Sequence, residues 1–81
     1  MFHVYVLQSL KDGVRYVGQT SLESAERLAE HNQNKSSFTR GHQPWMLVLS
    51  EDFNTRAEAV KREKFLKSGQ GRKWLDEILS M

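Results

Sequence analysis

Apolar and polar positions divide the chain into stretches of different period. Residues 3–8, His-Val-Tyr-Val-Leu-Gln, are rich in β-branched and aromatic side chains, and residues 14–20, Val-Arg-Tyr-Val-Gly-Gln-Thr, return to that composition. Between them lies Asp12-Gly13, a hairpin signal because the turn needs positive φ where glycine costs little. Thr20 with Glu23 fits a capping box and predicts a helix from about Leu22 to Gln33, with Leu22, Ala25, Leu28 and Ala29 as its apolar stripe. Residues 34–44 are polar and read as a loop that Pro44 ends. Trp45-Met46-Leu47-Val48-Leu49 is an unbroken apolar run, which predicts a third strand apolar enough to be central. Thr55 with Glu58 is a second capping box, opening a helix to about Lys67. Ser68-Gly69-Gln70-Gly71 reads as a break, with glycine supplying a left-handed cap. A final helix from Arg72 to Leu79 carries Trp74, Leu75, Ile78 and Leu79 on one side. The order is ββαβαα. A hairpin followed by helices predicts an α+β layer fold, with helices packed on a small sheet and residues 1–81 as a single domain. The partner of the third strand is not set by periodicity.

Length and composition narrow the function classes. A chain of 81 residues buries only roughly 60% of its unfolded surface, so its core is modest and large cofactor folds are excluded. The absence of cysteine removes disulfides, thiolate zinc sites and a cysteine nucleophile. The longest apolar run falls far short of the ~20 residues of a membrane span. Met1 is followed by no basic segment or long apolar stretch, which predicts an unprocessed cytoplasmic protein. The net charge of +2 is mild, but it is unevenly spread. Residues 1–52 carry five basic and six acidic groups, a net of −1, whereas residues 53–81 carry seven and four, a net of +3. A basic end is an electrostatic hint of phosphate contact.

Three features carry candidate chemistry. A two-residue turn at Asp12-Gly13 sets Tyr16 opposite Ser9, so Tyr5 and Tyr16 project from the same side of the hairpin. Arg27 and His31, at i and i+4, stack beyond one edge of the first helix's apolar stripe. Glu63 falls among Ala59, Val60 and Leu66 on the apolar side of the next helix. A carboxylate there is costly unless it is paired, as with Lys67 at i+4, or metal-bound. The three histidines, His3, His31 and His42, lie on three different elements, and no paired-ligand spacing, Walker loop or nucleophile elbow occurs.

Taken together, these blocks resemble the GIY-YIG nucleases. His3-Val4-Tyr5 and Tyr16-Val17-Gly18 are similar to the two-part signature. Arg27-Leu28-Ala29-Glu30-His31-Asn32 resembles the family's Arg-Leu-x-x-His-Asn helix, and Pro44-Trp45-Met46-Leu47-Val48 its third-strand entry. Glu58 to Lys67 resembles the helix bearing the family's acidic residue, and Ser68 to Leu75 the tail of its small stand-alone bacterial members. His3 stands where the signature has glycine, Val4 and Val17 stand where it has isoleucine, and the Tyr16 to Arg27 interval is about one residue longer than usual.

The resemblance implies a three-stranded antiparallel sheet flanked by helices, and cleavage of DNA phosphodiesters with one divalent metal, Mg²⁺ or Mn²⁺. It implies that Glu63 ligates the metal, that Tyr5 or Tyr16 orients or deprotonates the attacking water, that Arg27 steadies the scissile phosphate and that His31 assists. DNA backbone contact falls to Lys35, Arg40, Lys61, Arg62, Lys64, Lys67, Arg72 and Lys73. The family often carries a separate targeting domain, so DNA of a particular shape or a protein partner is expected to direct the chain. The alternative readings are a non-catalytic nucleic-acid-binding module of the same fold and a protein-interaction domain.

Overall fold

The protein is described from a computed structural model at residues 1–21, 32 and 41–79. Three strands, β1 (Phe2–Ser9), β2 (Arg15–Thr20) and β3 (Trp45–Phe53), form one sheet in the order β2-β1-β3. Both pairings are antiparallel, and two helices follow, α1 (Arg56–Lys67) and α2 (Gly69–Leu79). The α+β architecture is therefore the expected one. The expected helix at 22–33, apart from Asn32, which is helical, and residues 34–40 of the expected loop at 34–44 lie outside the described residues.

The central strand is β1, not β3. Val4, Tyr5, Val6 and Leu7 are each no more than 1% exposed, whereas Met46 and Ser50 of β3 face solvent. The apolar run at 45–49 has a different cause. Pairing with β1 shifts register between Val6, opposite Leu49, and Leu7, opposite Leu47. Val48 is thus an extra residue in β3. A bulge of this kind re-aims the side chains beyond it. Trp45 and Leu47 join Tyr5, Leu7 and Tyr16 on one face of the sheet. Leu49 and Phe53 join Val4, Val6, Ala59, Leu66 and Leu75 on the other, under the helices. The run is continuous because it serves both faces in turn.

The hairpin is also longer at its tip than the Asp-Gly pair predicts. Ser9 pairs with Val14 through a 2.8 Å backbone bond, so Leu10 to Gly13 form the loop and Tyr16 faces Leu7 rather than Ser9. Gly13 takes φ +78 and closes the loop with a bond to the Ser9 carbonyl. The Ser9 hydroxyl accepts from the Lys11 and Asp12 amides and donates to the His42 carbonyl. Because the loop changes by two residues, the parity of facing positions is unchanged, and Tyr5 and Tyr16 still share a face.

Thr55 caps α1 as expected, accepting from the Glu58 amide at 3.2 Å. The break after α1 is a single residue, and the left-handed glycine cap expected there is absent. Ser68 is extended and ends α1. Its hydroxyl donates to the Phe65 carbonyl and accepts from the Gly71 amide, so it also caps α2, which begins at Gly69 rather than Arg72. Gly71 sits where α2 crosses the end of α1, and a Cβ there would run into the Phe65 carbonyl and the Leu66 backbone. Arg62 ties three elements. Its guanidinium donates twice to Glu51 of β3, at 2.8 and 3.1 Å, and lies 5.0 Å from the Phe65 ring and 4.8 Å from the Trp74 ring. A bidentate pair of this kind fixes orientation as well as charge.

Candidate active site

Two tyrosines lie on one side of the candidate site. Tyr5 is 1% exposed, and its ring lies 6.2 Å from that of Tyr16 at an angle of 30°. Trp45 meets Tyr16 edge-on at 6.3 Å. Tyr5 lies opposite Gly18, and its phenol occupies the space that a side chain at 18 would fill. A Cβ on Gly18 would collide with the Tyr5 hydroxyl and press on the Tyr16 ring at 3.1 Å. Glycine at this position therefore lets the Tyr5 hydroxyl extend across β2 toward the open edge of the sheet.

That edge borders a groove of about 670 Å³, lined by Tyr16 and Val17 of β2, Leu66 and Lys67 of α1, and Arg72 and Leu75 of α2, among others. Arg15 and Asp76 also line it and form an ion pair with each other. Three of the lining residues are cationic, Arg15, Lys67 and Arg72, against the single carboxylate of Asp76. Arg15 was not legible as a site residue beforehand. Its signal in the sequence is a basic residue on a strand, which among the described residues is an edge strand.

Glu63 approaches from the other face of the sheet. It accepts a 3.0 Å bond from Lys67, and its side chain keeps 20% exposure. The i+4 ion pair is therefore present. The described residues bring Tyr5 and Tyr16 together, and they set Glu63 one hydrogen bond from Lys67, which shares a groove with Tyr16. Arg27, His31, Lys35 and Arg40 lie outside the described residues. Lys61 and Lys64 flank a shallow depression on the outer face of α1 with Arg56, Ala57 and Val60. Lys73 is exposed on α2, and Arg62 is held by Glu51 and two rings.

Two polar pairs hold the framework. His3 is 6% exposed and bonds Asp52 across the sheet, Nδ1 to Oδ1 at 2.6 Å. Asn32 makes two bonds to the Trp45 backbone, accepting from its amide at 2.8 Å and donating to its carbonyl at 3.3 Å. It thereby ties the C-terminal part of the expected helix to the start of β3.

The fold agrees with sequence comparison. The family model for the GIY-YIG catalytic domain matches residues 1–74, and the chain belongs to this nuclease family. Among its relatives is a UPF0213 protein of Halobacterium salinarum, 40% identical over 68 residues that make up 83% of this chain and 86% of that protein. A UPF0213 protein of Staphylococcus saprophyticus is 32% identical over 77 residues, 94% of this chain and 92% of that one. The solution NMR structure of a UPF0213 protein from Bacillus halodurans is similar at a TM-score of 0.57 and 32% identity, covering 96% of this chain and 85% of that one. Among the described residues no helix is long and apolar enough to cross a membrane.

Proposed function

We propose that the chain is a divalent-metal-dependent DNA endonuclease that hydrolyses phosphodiester bonds at the β2 edge. The observation that carries this reading is the Tyr5–Tyr16 pair, with the Tyr5 phenol laid across Gly18 and Tyr16 lining a cationic groove. Glu63 fits a hard cation. It is a partly exposed carboxylate with Oε2 on Lys67 and no described hydrogen bond to Oε1. Mg²⁺ and Mn²⁺ take oxygen ligands, and Mg²⁺ retains several of its waters, so one carboxylate is a sufficient anchor. The ion supplies positive charge against the negative charge that develops on the phosphoryl and leaving oxygens.

The remaining work belongs to the chain's own residues. Arg27 pairs with the non-bridging phosphate oxygens, for which a planar guanidinium is suited. Tyr16 lies at the groove and holds the attacking water by its phenol oxygen, with Tyr5 behind it as a positioning group. A phenol is a weak base at neutral pH, so Tyr16 acts by orienting the water. His31 assists at the leaving oxygen. Lys67, Arg72 and Lys73, with Lys61 and Lys64 on α1 and Lys35 and Arg40 in the polar segment, hold backbone phosphates. Arg62 contributes less than its charge suggests, because its guanidinium is already committed to Glu51. Contacts of this type bind without reading bases, so a protein partner or the shape of the DNA directs cleavage in the cytoplasm.

The test is incubation with branched, nicked and single-stranded DNA and Mg²⁺ or Mn²⁺, with a chelator control. Metal-dependent cleavage of at least one substrate is expected, and Tyr16→Phe lowers its rate by at least tenfold. A second reading, a non-catalytic DNA-binding module, draws on the Glu63–Lys67 pair, which occupies the carboxylate. It predicts salt-sensitive binding with no cleavage on any substrate.

A further inference from the structure

We infer that Gln19 is a second oxygen donor to the divalent ion at Glu63, an inference that rests on the metal-dependent reading above. Among the described residues, Oε1 of Gln19 is the buried side-chain polar atom with no hydrogen-bond partner. A buried acceptor without a donor is unfavourable unless a ligand arrives to satisfy it. The fold shows what lies beside it. Gln19 is opposite Val4 in β2, and Val4 is opposite Glu51 in β3. These three residues form one row across the sheet on the face that carries Val4 into the helical core with Ala59 and Leu66.

Helix α1 crosses this row. Ala59 and Leu66 point down at the sheet and are fully buried. Arg62 turns to one side and reaches Glu51 at the β3 end of the row. Glu63 is about 100° further round the helix, so it turns to the opposite side, toward β2. Lys67, one turn on from Glu63, lines the groove beside Val17 of β2. A helical turn advances about 5.4 Å and two strand residues about 6.6 Å. If Lys67 stands beside Val17, Glu63 stands beside Gln19. A neutral amide oxygen and a carboxylate are both ligands that Mg²⁺ and Mn²⁺ accept. Gly18, the next residue, is where the Tyr5 hydroxyl crosses β2.

The experiment measures Mn²⁺ binding to the DNA-free protein by the electron paramagnetic resonance of free Mn²⁺, with thermal melts in chelator. Gln19→Met keeps the length of the side chain and removes the donor. It is expected to weaken Mn²⁺ roughly tenfold, and to raise the Tm of the metal-free chain by relieving the unpaired oxygen. Gln19→Glu is expected to tighten Mn²⁺ binding, and it decides the matter if Gln19→Met does not fold. Glu63→Ala is expected to weaken binding at least as much as Gln19→Met. Unchanged Mn²⁺ affinity in both Gln19 variants, with a loss in Glu63→Ala, overturns the role of Gln19 and leaves the Glu63 site standing. Unchanged affinity in all three overturns the metal reading itself.

Discussion

At the scale of single residues, the site depends on what is missing at position 18. The Tyr5 phenol fills the volume over Gly18, and Tyr5 is almost wholly buried, so its ring has little room to withdraw. Gly18→Ala therefore forces overpacking and is expected to cost about 1–3 kcal/mol, measured by urea denaturation. The Tyr5 hydroxyl is the nearest atom, so Tyr5→Phe should return part of that loss. The double mutant is then less destabilised than the sum of the single changes, a coupling expected of residues in contact. Additive losses would show that Tyr5 does not lie across Gly18. The tyrosine pairing was legible in the sequence because it needs only parity. Gln19 was not, since an amide in a strand looks like any solvated residue until its oxygen is seen to be enclosed.

At the scale of elements, Gly71 and the hairpin tip make separate predictions. Gly71→Ala places a methyl group against the Phe65 carbonyl and the Leu66 backbone, which cannot rotate aside. The variant is expected to lose about 1–3 kcal/mol or more in stability. Gly69→Ala, which meets nothing within 4 Å, is the control and should be neutral or slightly stabilising. The Asp12 carboxyl lies below its ordinary value of 3.8, chiefly through its bond to His42 and then through the Val14 amide. A carboxyl depressed in the folded state contributes stability that is present above its unfolded pKa. That contribution is lost as pH falls below about 3.8 and through the folded value. Urea midpoints measured from pH 6 downward should fall more steeply for the wild type than for Asp12→Asn in that acid window. Parallel curves would show that the link between the hairpin tip and His42 does not contribute to stability. The elements themselves were mostly legible, because capping boxes and β-branched runs are local signals. The errors arose where tertiary contacts decide. Residues 69–71 look like a break by composition, yet Ser68 caps two helices and the crossing at Gly71 favours glycine inside a helix. The 45–49 run looks central because a bulge that splits it between two faces leaves no local mark.

At the scale of the whole molecule, charge and topology act together. Among the described residues, the sheet puts β1 between its partners and leaves one edge of β2 unpaired. At that edge Tyr16 lines the same groove as Lys67 and Arg72, which come from the two helices. The +3 excess of residues 53–81 is thus partly neutralised inside the fold, where Arg62 pairs with Glu51, and partly displayed. DNA affinity is accordingly expected to be modest and to fall as salt rises. Lys61→Ala with Lys64→Ala should reduce the salt slope without changing the melting temperature by more than a degree or two. Arg62→Ala should lower stability by about 2–4 kcal/mol, since it strands Glu51 and removes two ring contacts.

The central claim is that Glu63 anchors the metal used for cleavage at the β2 edge, where Tyr16 and Lys67 line one groove. Its most direct test compares the wild-type chain with Glu63→Ala on labelled branched, nicked and single-stranded DNA in Mg²⁺ or Mn²⁺, with folding of both confirmed by circular dichroism. The account predicts cleavage by the wild type and a loss of at least a hundredfold in the folded variant. Cleavage at an unchanged rate in Glu63→Ala, or none by the wild type under any of these conditions, would contradict it.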